Sequence, residues 1–344
     1  MMKALLLKAY RQLVYTDVVR PEPLDDQVLV RVQACAICGS DVHGYDGSTG
    51  RRIPPLIMGH EASGTIVAVG AAVKNFTAGE RVTFDSTISC GNCRYCRRGE
   101  VNLCDNRRVL GVSTDEYRLH GAFADYVAVP ERILYRLPAT VSYEQGAMVE
   151  PVSIALHALS RTQLSLNDSV VVVGAGMIGL LIIQLLRLAG CGTIIAIDRV
   201  PAKLELAKQF GADAGLLSDD PDVIRRVFEK TGGQGADRAF EVVGLPPTLR
   251  LTIDCLRKGG SATLVGNLAP TAGIPLQAIV TRQITLYGSC ASAGEYPACL
   301  DLIAAGKVDV DSLISATAPL ADGADWFDRL YRGEPGLMKV ILKP

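Results

Sequence analysis

The sequence predicts an α/β chain in two parts, a β-rich, barrel-like first half and a doubly wound parallel sheet in the second. Three observations carry that prediction. Short runs of alternating apolar residues, punctuated by Gly and Pro, fill much of residues 1–130. A run of valines then leads into Gly174-Ala-Gly176-Met177-Ile178-Gly179 and an apolar helical stretch. Beyond it, strand-like and helix-like segments alternate as far as Gly288. At 344 residues the chain is long enough for two domains, each with its own core.

In the first half, Lys3–Lys8, Leu13–Asp17 and Gln27–Ala34 read as strands, the last with Val28, Val30 and Val32 on one face. Pro21, Pro23 and Asp25-Asp26 mark the turn before that strand. Further strands are expected at Gly64–Val69, Arg81–Phe84 and Ala124–Val129, punctuated by Gly70, Gly79 and Pro130. Tyr143–Leu159 has a helical pattern in which Pro151 marks a break or a fresh start. His157 lies on its apolar face and reads as a packed core residue, and His120 as a loop residue.

The second half opens with the strand Ser169–Val173, the glycine motif, the helix Leu180–Ala189 and the strand Thr193–Ile197, which ends on Asp198. Gly174 allows a tight turn, Gly176 lets a diphosphate approach the backbone, and Gly179 lets helix and strand pack closely. The helix N-terminus then faces the phosphates, so the motif predicts a bound dinucleotide. Asp198 is expected to accept from the adenosine ribose hydroxyls and to favour NAD over NADP, although Arg199 beside it is of the kind that accommodates a 2'-phosphate. Lys203 either reaches the same ribose or lies on a solvated helix face. A helix near Pro221–Lys230, the strand Arg238–Val243, the helix Leu249–Leu256 and the strands Ala262–Val265 and Ile284–Gly288 continue the pattern. Val243, Val265 and Ser289 fall at strand ends, where such sheets hold the nicotinamide half of the ligand. A helix from Tyr296 leads into an irregular tail ending in the strand Lys339–Leu342. With no third core in sight, residues 293–344 are expected to return to the first domain, giving units 1–152 and 153–292.

Two side-chain groups carry chemistry. Cys38-Gly-Ser40-Asp-Val-His43 and Gly59-His60-Glu61 offer a thiolate, an imidazole and a carboxylate, with Ser40 and His43 beside the thiolate. Such a set suits zinc in an open, catalytic site. The alternative is a buried Cys, a capping His and a surface Glu that never meet. Glu150, just before Pro151, is a candidate fourth ligand, direct or through water; alone it reads as a helix-start carboxylate. Cys90, Cys93, Cys96 and Cys104 form a Cys-x2-Cys-x2-Cys-x7-Cys group of the kind that closes around a structural zinc, with interleaved arginines offsetting its charge. An iron–sulfur cluster is the competing reading. Arg51 and Arg52 are either partners for a substrate phosphate or carboxylate, or solvated loop residues.

A net charge of −1 gives no electrostatic reason to expect nucleic acid or an anionic membrane surface. The apolar run 170–188 is broken by three glycines and carries Gln184 and Arg187, which argues for a buried strand–turn–helix rather than a membrane span. Ten cysteines clustered at metal-ligand spacing, with no export signal, favour a reducing cytoplasm over disulfides.

On these residues the chain resembles the zinc-dependent medium-chain dehydrogenases/reductases along nearly its whole length. The resemblance implies a GroES-like catalytic domain split around a Rossmann NAD-binding domain, with the active site in the cleft between them. Glu150-Pro151, where ordinary alcohol dehydrogenases of the family bring a second cysteine, resembles the polyol branch of sorbitol, galactitol-phosphate, threonine and butanediol dehydrogenases. At Ala291 and Ser292 the chain departs from the Arg-Tyr pair of sorbitol dehydrogenase. The expected activity is oxidation of a polyol's secondary hydroxyl to a ketone with NAD, using one catalytic and one structural zinc. Ser40 would take the alcohol proton and His43 would pass it to solvent. A non-catalytic zinc- and dinucleotide-binding sensor is the rival from another class. The resemblance, with the edge strand at 284–288, also implies a homodimer or a tetramer built from two.

Overall fold

The computed structural model describes all 344 residues, and the chain forms two compact units, Met1–Glu150 with Ala293–Pro344, and Pro151–Ser292.

The first unit is built on the ten-residue strand Gln27–Ala36. Val28, Val30 and Val32 are buried on its core face while Arg31 is exposed on the other, as period-2 patterning requires. Along one edge it pairs antiparallel with Glu61–Val69, from Val28 opposite Val69 to Ala36 opposite Glu61. Along the other it pairs with Tyr126–Pro130 and, at its far end, with Lys339–Lys343. Leu134–Arg136, Arg81–Phe84 and Ile314–Pro319 complete a seven-stranded sheet. A second sheet joins Gln12–Val18, Met2–Ala9 and Leu56–Ile57. Between them lies one core that includes Leu5, Leu7, Met58, Phe84, Phe123 and Phe327, with Phe123 and Phe327 edge to face at 5.6 Å.

The stretch after Tyr296 is more regular than its sequence suggests. It contains the strand Ile314–Pro319 and the helix Gly323–Tyr331 as well as the expected last strand. Ile-Ser-Ala-Thr-Ala-Pro has little apolar bulk, and it becomes a strand through parallel pairing with Lys339–Lys343. Pro151 marks a fresh start. The short helix Tyr143–Ala147, capped by Ser142 and Gln145, stops at Met148, and a second helix runs Val149–Ser160. Pro151 sits in its first turn, where a missing N–H costs nothing.

The second unit is a six-stranded parallel sheet in the order Ala214–Leu217, Ile194–Asp198, Val170–Val173, Ala236–Glu241, Leu256–Leu264, Thr285–Gly288. The valine strand, first in the sequence, is central and wholly buried, which is why it reads as a continuous apolar run. The helix Pro201–Gln209 escapes the sequence reading because it is nearly half polar, and the strand Ala214–Leu217 because its four residues are too few to show a period. Leu256–Leu264 starts six residues earlier than expected, with a register shift against its neighbour across Lys258-Gly259-Gly260.

Gly179 is where helix Met177–Leu188 crosses the turn below it. A Cβ there would lie 1.9 Å from Gly174 O, a backbone atom that cannot give way cheaply. Gly179→Ala is therefore expected to destabilise this unit by about 2 kcal/mol or more, read from the midpoint of urea unfolding.

Candidate functional site

Cys38 closes the loop after Gln27–Ala36 and begins the helix Gly39–Gly44. Its backbone is extended and its Sγ accepts from Ser40 N at 3.4 Å, as an N-cap does. His60 and Glu61 open the neighbouring strand. Because Ala36 pairs with Glu61, the antiparallel register itself carries Cys38 to them. Gly59, at φ 94°, makes the approach possible: a Cβ there would meet Phe123 N at 2.8 Å and Cys35 Sγ at 2.9 Å. One ligand atom from each of Cys38, His60 and Glu61 then lies within 4.8 Å of the others. Zinc ligands at their usual bond lengths stand about 3.3–3.8 Å apart, so only a small inward movement separates this set from coordination.

Each member of the set has a supporting partner. His60 Nδ1 faces Asp41 Oδ2 at 3.3 Å, and Ser40 Oγ lies 3.5 Å from His60 Nε2 and 3.3 Å from Cys38 Sγ. A carboxylate behind a metal-ligating imidazole fixes its tautomer and ring plane. Burial works against charge on Asp41, but His60 and Arg52 outweigh it and bring its pKa down to about 2. Burial likewise opposes a charged His60, and Asp41 and Cys38 nonetheless lift it well above its ordinary value. Glu61, almost wholly buried, accepts from Lys339 Nζ at 2.6 Å, and the same ammonium donates to Ile37 O at 3.3 Å. The sequence reading passed over Lys339; a lone lysine opening the apolar run Lys-Val-Ile-Leu was the signal available.

Glu150 stands outside the tight set. Burial first, and then the charge of Glu61, push its pKa up to about 8. Glu61, Glu150 and the Cys38 sulfur thus gather around one lysine, three potential anions to one cation. The donor types and this imbalance fit zinc. His43 is exposed, one helical turn beyond Ser40.

Arg52 departs from the sequence reading. It is neither a solvated loop residue nor open to a substrate phosphate: it is 4% exposed and donates to Asp41 Oδ1 from Nε at 3.0 Å and from Nη2 at 2.9 Å. Gly44 makes room for its stem. Arg51 is exposed.

The four cysteines of the second group also converge. Cys93 Sγ and Cys96 Sγ are 3.5 Å apart, Cys90 Sγ and Cys96 Sγ 4.0 Å, close to the edge of a tetrahedral zinc–thiolate site. Backbone N–H groups of Cys90 and Asn106 donate to Cys104 Sγ at 3.2 and 3.3 Å. Of the interleaved arginines, Arg94 and Arg98 lie over the Tyr95 ring, and Arg98 pairs with Glu100.

In the second unit, Gly174 turns at φ 101° and Gly176 has open space where a Cβ would be. Gly176 caps helix Met177–Leu188 without a side-chain bond, leaving the first N–H groups for a ligand. Met177 and Ile178 are partly exposed in that first turn. Asp198 ends its strand and accepts from Ala175 N at 2.8 Å and Val200 N at 3.0 Å, so it braces the glycine turn while keeping lone pairs for a ribose. Arg199 is exposed and Lys203 half-buried. Val243, Val265 and Ser289 follow three adjacent strands at one end of the sheet. Val265 N donates to Glu241 O and Ser289 N to Leu264 O. Buried Glu241, unnoticed in the sequence, holds the Val243 and Gly244 amides and the Thr248 hydroxyl.

A split β-rich unit with a metal-ready Cys/His/Glu group, and a dinucleotide-binding sheet inserted into it, define an oxidoreductase that works through a nicotinamide cofactor. Residues 24–139 match the alcohol dehydrogenase GroES-like domain, and residues 178–305 match the zinc-binding dehydrogenase family. Sorbitol dehydrogenase of Bacillus subtilis (strain 168) is 32% identical over 100% of this chain and 97% of its own length. D-arabitol-phosphate dehydrogenase of Enterococcus avium is 33% identical over 97% and 94%. Among solved structures, a zinc-binding dehydrogenase from Sinorhizobium meliloti 1021 bound to NADP superposes with a TM-score of 0.91 at 33% identity, covering 100% of this chain and 99% of that one. The chain belongs to the zinc-binding alcohol dehydrogenase family, with a GroES-like domain and a Rossmann domain.

Proposed function

We propose that this protein oxidises a secondary hydroxyl of a polyol or sugar alcohol, free or phosphorylated, to a ketone, with NAD as hydride acceptor. The observation that carries this reading is the convergence of Cys38, His60 and Glu61, with Glu150 beside them, in a chain whose relatives are named for polyols and polyol phosphates. Zinc held there would act as a Lewis acid, lowering the pKa of the substrate hydroxyl. Glu150 completes the ligand set directly or orders a water. Ser40, within hydrogen-bond reach of Cys38 and His60, receives the hydroxyl proton, and exposed His43 hands it to solvent. Asp41 and Lys339 hold His60 and Glu61 in place. Cys90, Cys93, Cys96 and Cys104 take a second, structural zinc.

Gly174, Gly176, Met177, Ile178 and Gly179 cradle the dinucleotide diphosphate. Asp198, with Arg199 and Lys203 near it, meets the adenosine ribose; Val243, Val265 and Ser289 meet the nicotinamide half. Asp198 supports NAD as the preferred form even though one relative binds NADP. The test is NADH formation by zinc-loaded protein against sorbitol, galactitol, arabitol, their phosphates, threonine and 2,3-butanediol, repeated with NADP. Polyol turnover with NAD at least about tenfold more efficient than with NADP is expected, and Asp198→Gly should narrow that ratio. Absence of turnover with every polyol, in protein that holds zinc and binds NADH, overturns the reading.

The strand Thr285–Gly288 is an edge of its sheet, and the helix before it exposes Leu276 and Val280. Pairing of that edge with a second copy supports a homodimer, or a tetramer of two such pairs, which light scattering on eluting protein measures. No helix is long and apolar enough to cross a membrane, and all ten cysteines are unpaired, which supports a cytoplasmic setting.

A further inference from the structure

The chemistry above gives Arg52 no part, yet its guanidinium is among the most completely buried charges in the chain, with 5% of the side chain exposed against 0% for Asp41. An ion pair this deep is weak evidence for stability, since well-packed apolar residues commonly do as well. Its geometry serves a different end. Arg52 Nη1 donates to Arg51 O at 3.0 Å, which fixes the plane of the fork. Nε and Nη2 both donate to Asp41 Oδ1, leaving Asp41 Oδ2 to face His60 Nδ1. Nη2 carries a second proton, and 3.3 Å away lies Ser40 Oγ. Ser40 Oγ in turn lies 3.5 Å from His60 Nε2. One guanidinium therefore anchors both groups that flank the His60 ring, Asp41 on the Nδ1 side and Ser40 on the Nε2 side.

We propose that Arg52 is a positioning residue for proton transfer, holding the Ser40 hydroxyl in the orientation that receives the substrate's proton; this rests on the role given to Ser40 above. A serine hydroxyl has one proton and two lone pairs. Arg52 occupies one lone pair, and the hydroxyl proton points to Cys38 Sγ at 3.3 Å. A single lone pair remains for an incoming proton. In the transfer the substrate O–H bond breaks, an O–H bond forms at Ser40 Oγ, and the proton Ser40 first carried turns away from Cys38 Sγ and leaves to a solvent water. Arg52 cannot accept that proton, because a guanidinium does not titrate in proteins and has no acceptor atom. A lysine keeps the charge but offers a single point of attachment in place of the fork.

The test is a double-mutant cycle in the zinc-loaded full chain, with Arg52→Lys, Ser40→Ala and the pair, using whichever polyol of the panel is turned over. Arg52→Lys is expected to lower kcat about tenfold or more with KM changed less than about threefold, and to have less than about a twofold effect once Ser40 is alanine. Losses that multiply across the two sites overturn the proposal, because Arg52 would then act on the fold and not through Ser40. A second readout needs no turnover. In crystals of the wild type, Ser40 Oγ should occupy one rotamer against the guanidinium, and in Arg52→Lys it should spread over more than one. An unmoved Ser40 overturns the inference even if polyols are oxidised, and failure of the wild type on every polyol overturns the proposed function while the rotamer comparison still judges Arg52. Arg52→Gln, which still donates to Asp41, replaces the lysine variant if that one does not fold.

Discussion

Replacing Cys38 with serine is expected to lower kcat by about a thousandfold or more while leaving NADH affinity within about twofold. The two halves of that outcome have separate causes. A serine hydroxyl does not ionise near neutral pH as a thiol beside a metal does, so the soft anionic donor of the set is lost. The fold around it is spared, because Cys38 is also the N-cap of Gly39–Gly44 and serine is a better cap than cysteine. Gly174–Gly179 and Asp198, the residues proposed to hold the dinucleotide, belong to the other compact unit. Metal analysis, NADH fluorescence titration and steady-state turnover on one preparation separate these effects. Turnover near the wild-type rate in a variant of verified metal content would remove Cys38, His60 and Glu61 from the chemistry.

The second large effect concerns the four-cysteine lobe. Cys96→Ser is expected to reduce bound zinc from two per chain to one and to speed tryptic cleavage at Arg94, Arg97, Arg98 or Arg108 about tenfold or more. Residues 89–108 bury little besides Asn102 and Cys104, so no hydrophobic core is available to hold the segment once the metal is gone. Those arginines are already exposed and need only local opening to enter a protease. Turnover should survive, because the lobe's thiols belong to a different cluster from Cys38, His60 and Glu61. Loss of both zincs together in this variant would show that the two metal positions are not independent.

What could be read in advance followed from covalent spacing and periodicity. The four lobe cysteines and the glycine motif are local, and local patterns survive in a one-dimensional string. The pairing of Cys38 with His60-Glu61 was legible as donor chemistry, while its geometric cause, Ala36 opposite Glu61, is a strand register that only the folded sheet displays. Lys339 and Glu61 are 278 positions apart and meet through a strand added late to the sheet. Arg52 misled for a related reason: in a loop rich in Gly, Ser and Pro it reads as solvated, and its burial depends on Gly44 giving up the space a side chain would fill. Glu241 was hidden in the same way, since an acid at a strand end announces nothing until the amides it collects are in view. Polar groups whose partners lie far along the chain are those that periodicity cannot find.

The strand Lys339–Lys343 lies inside its sheet, between Gln27–Ala36 and Ile314–Pro319. For a chain emerging from the ribosome this sets an order of birth. The first 150 residues leave the exit tunnel with Cys35 and Ala36 still lacking their partners Leu342 and Ile341. At about 5–20 residues per second, the missing strand follows roughly 10–40 s later. Meanwhile Pro151–Ser292 is continuous and can close on itself. The continuous unit is thus complete before the one that holds Glu61, whose lysine comes 278 positions later. Until then the nascent chain carries an open sheet edge two residues from Cys38, a stretch of unpaired backbone exposed to any other strand it meets.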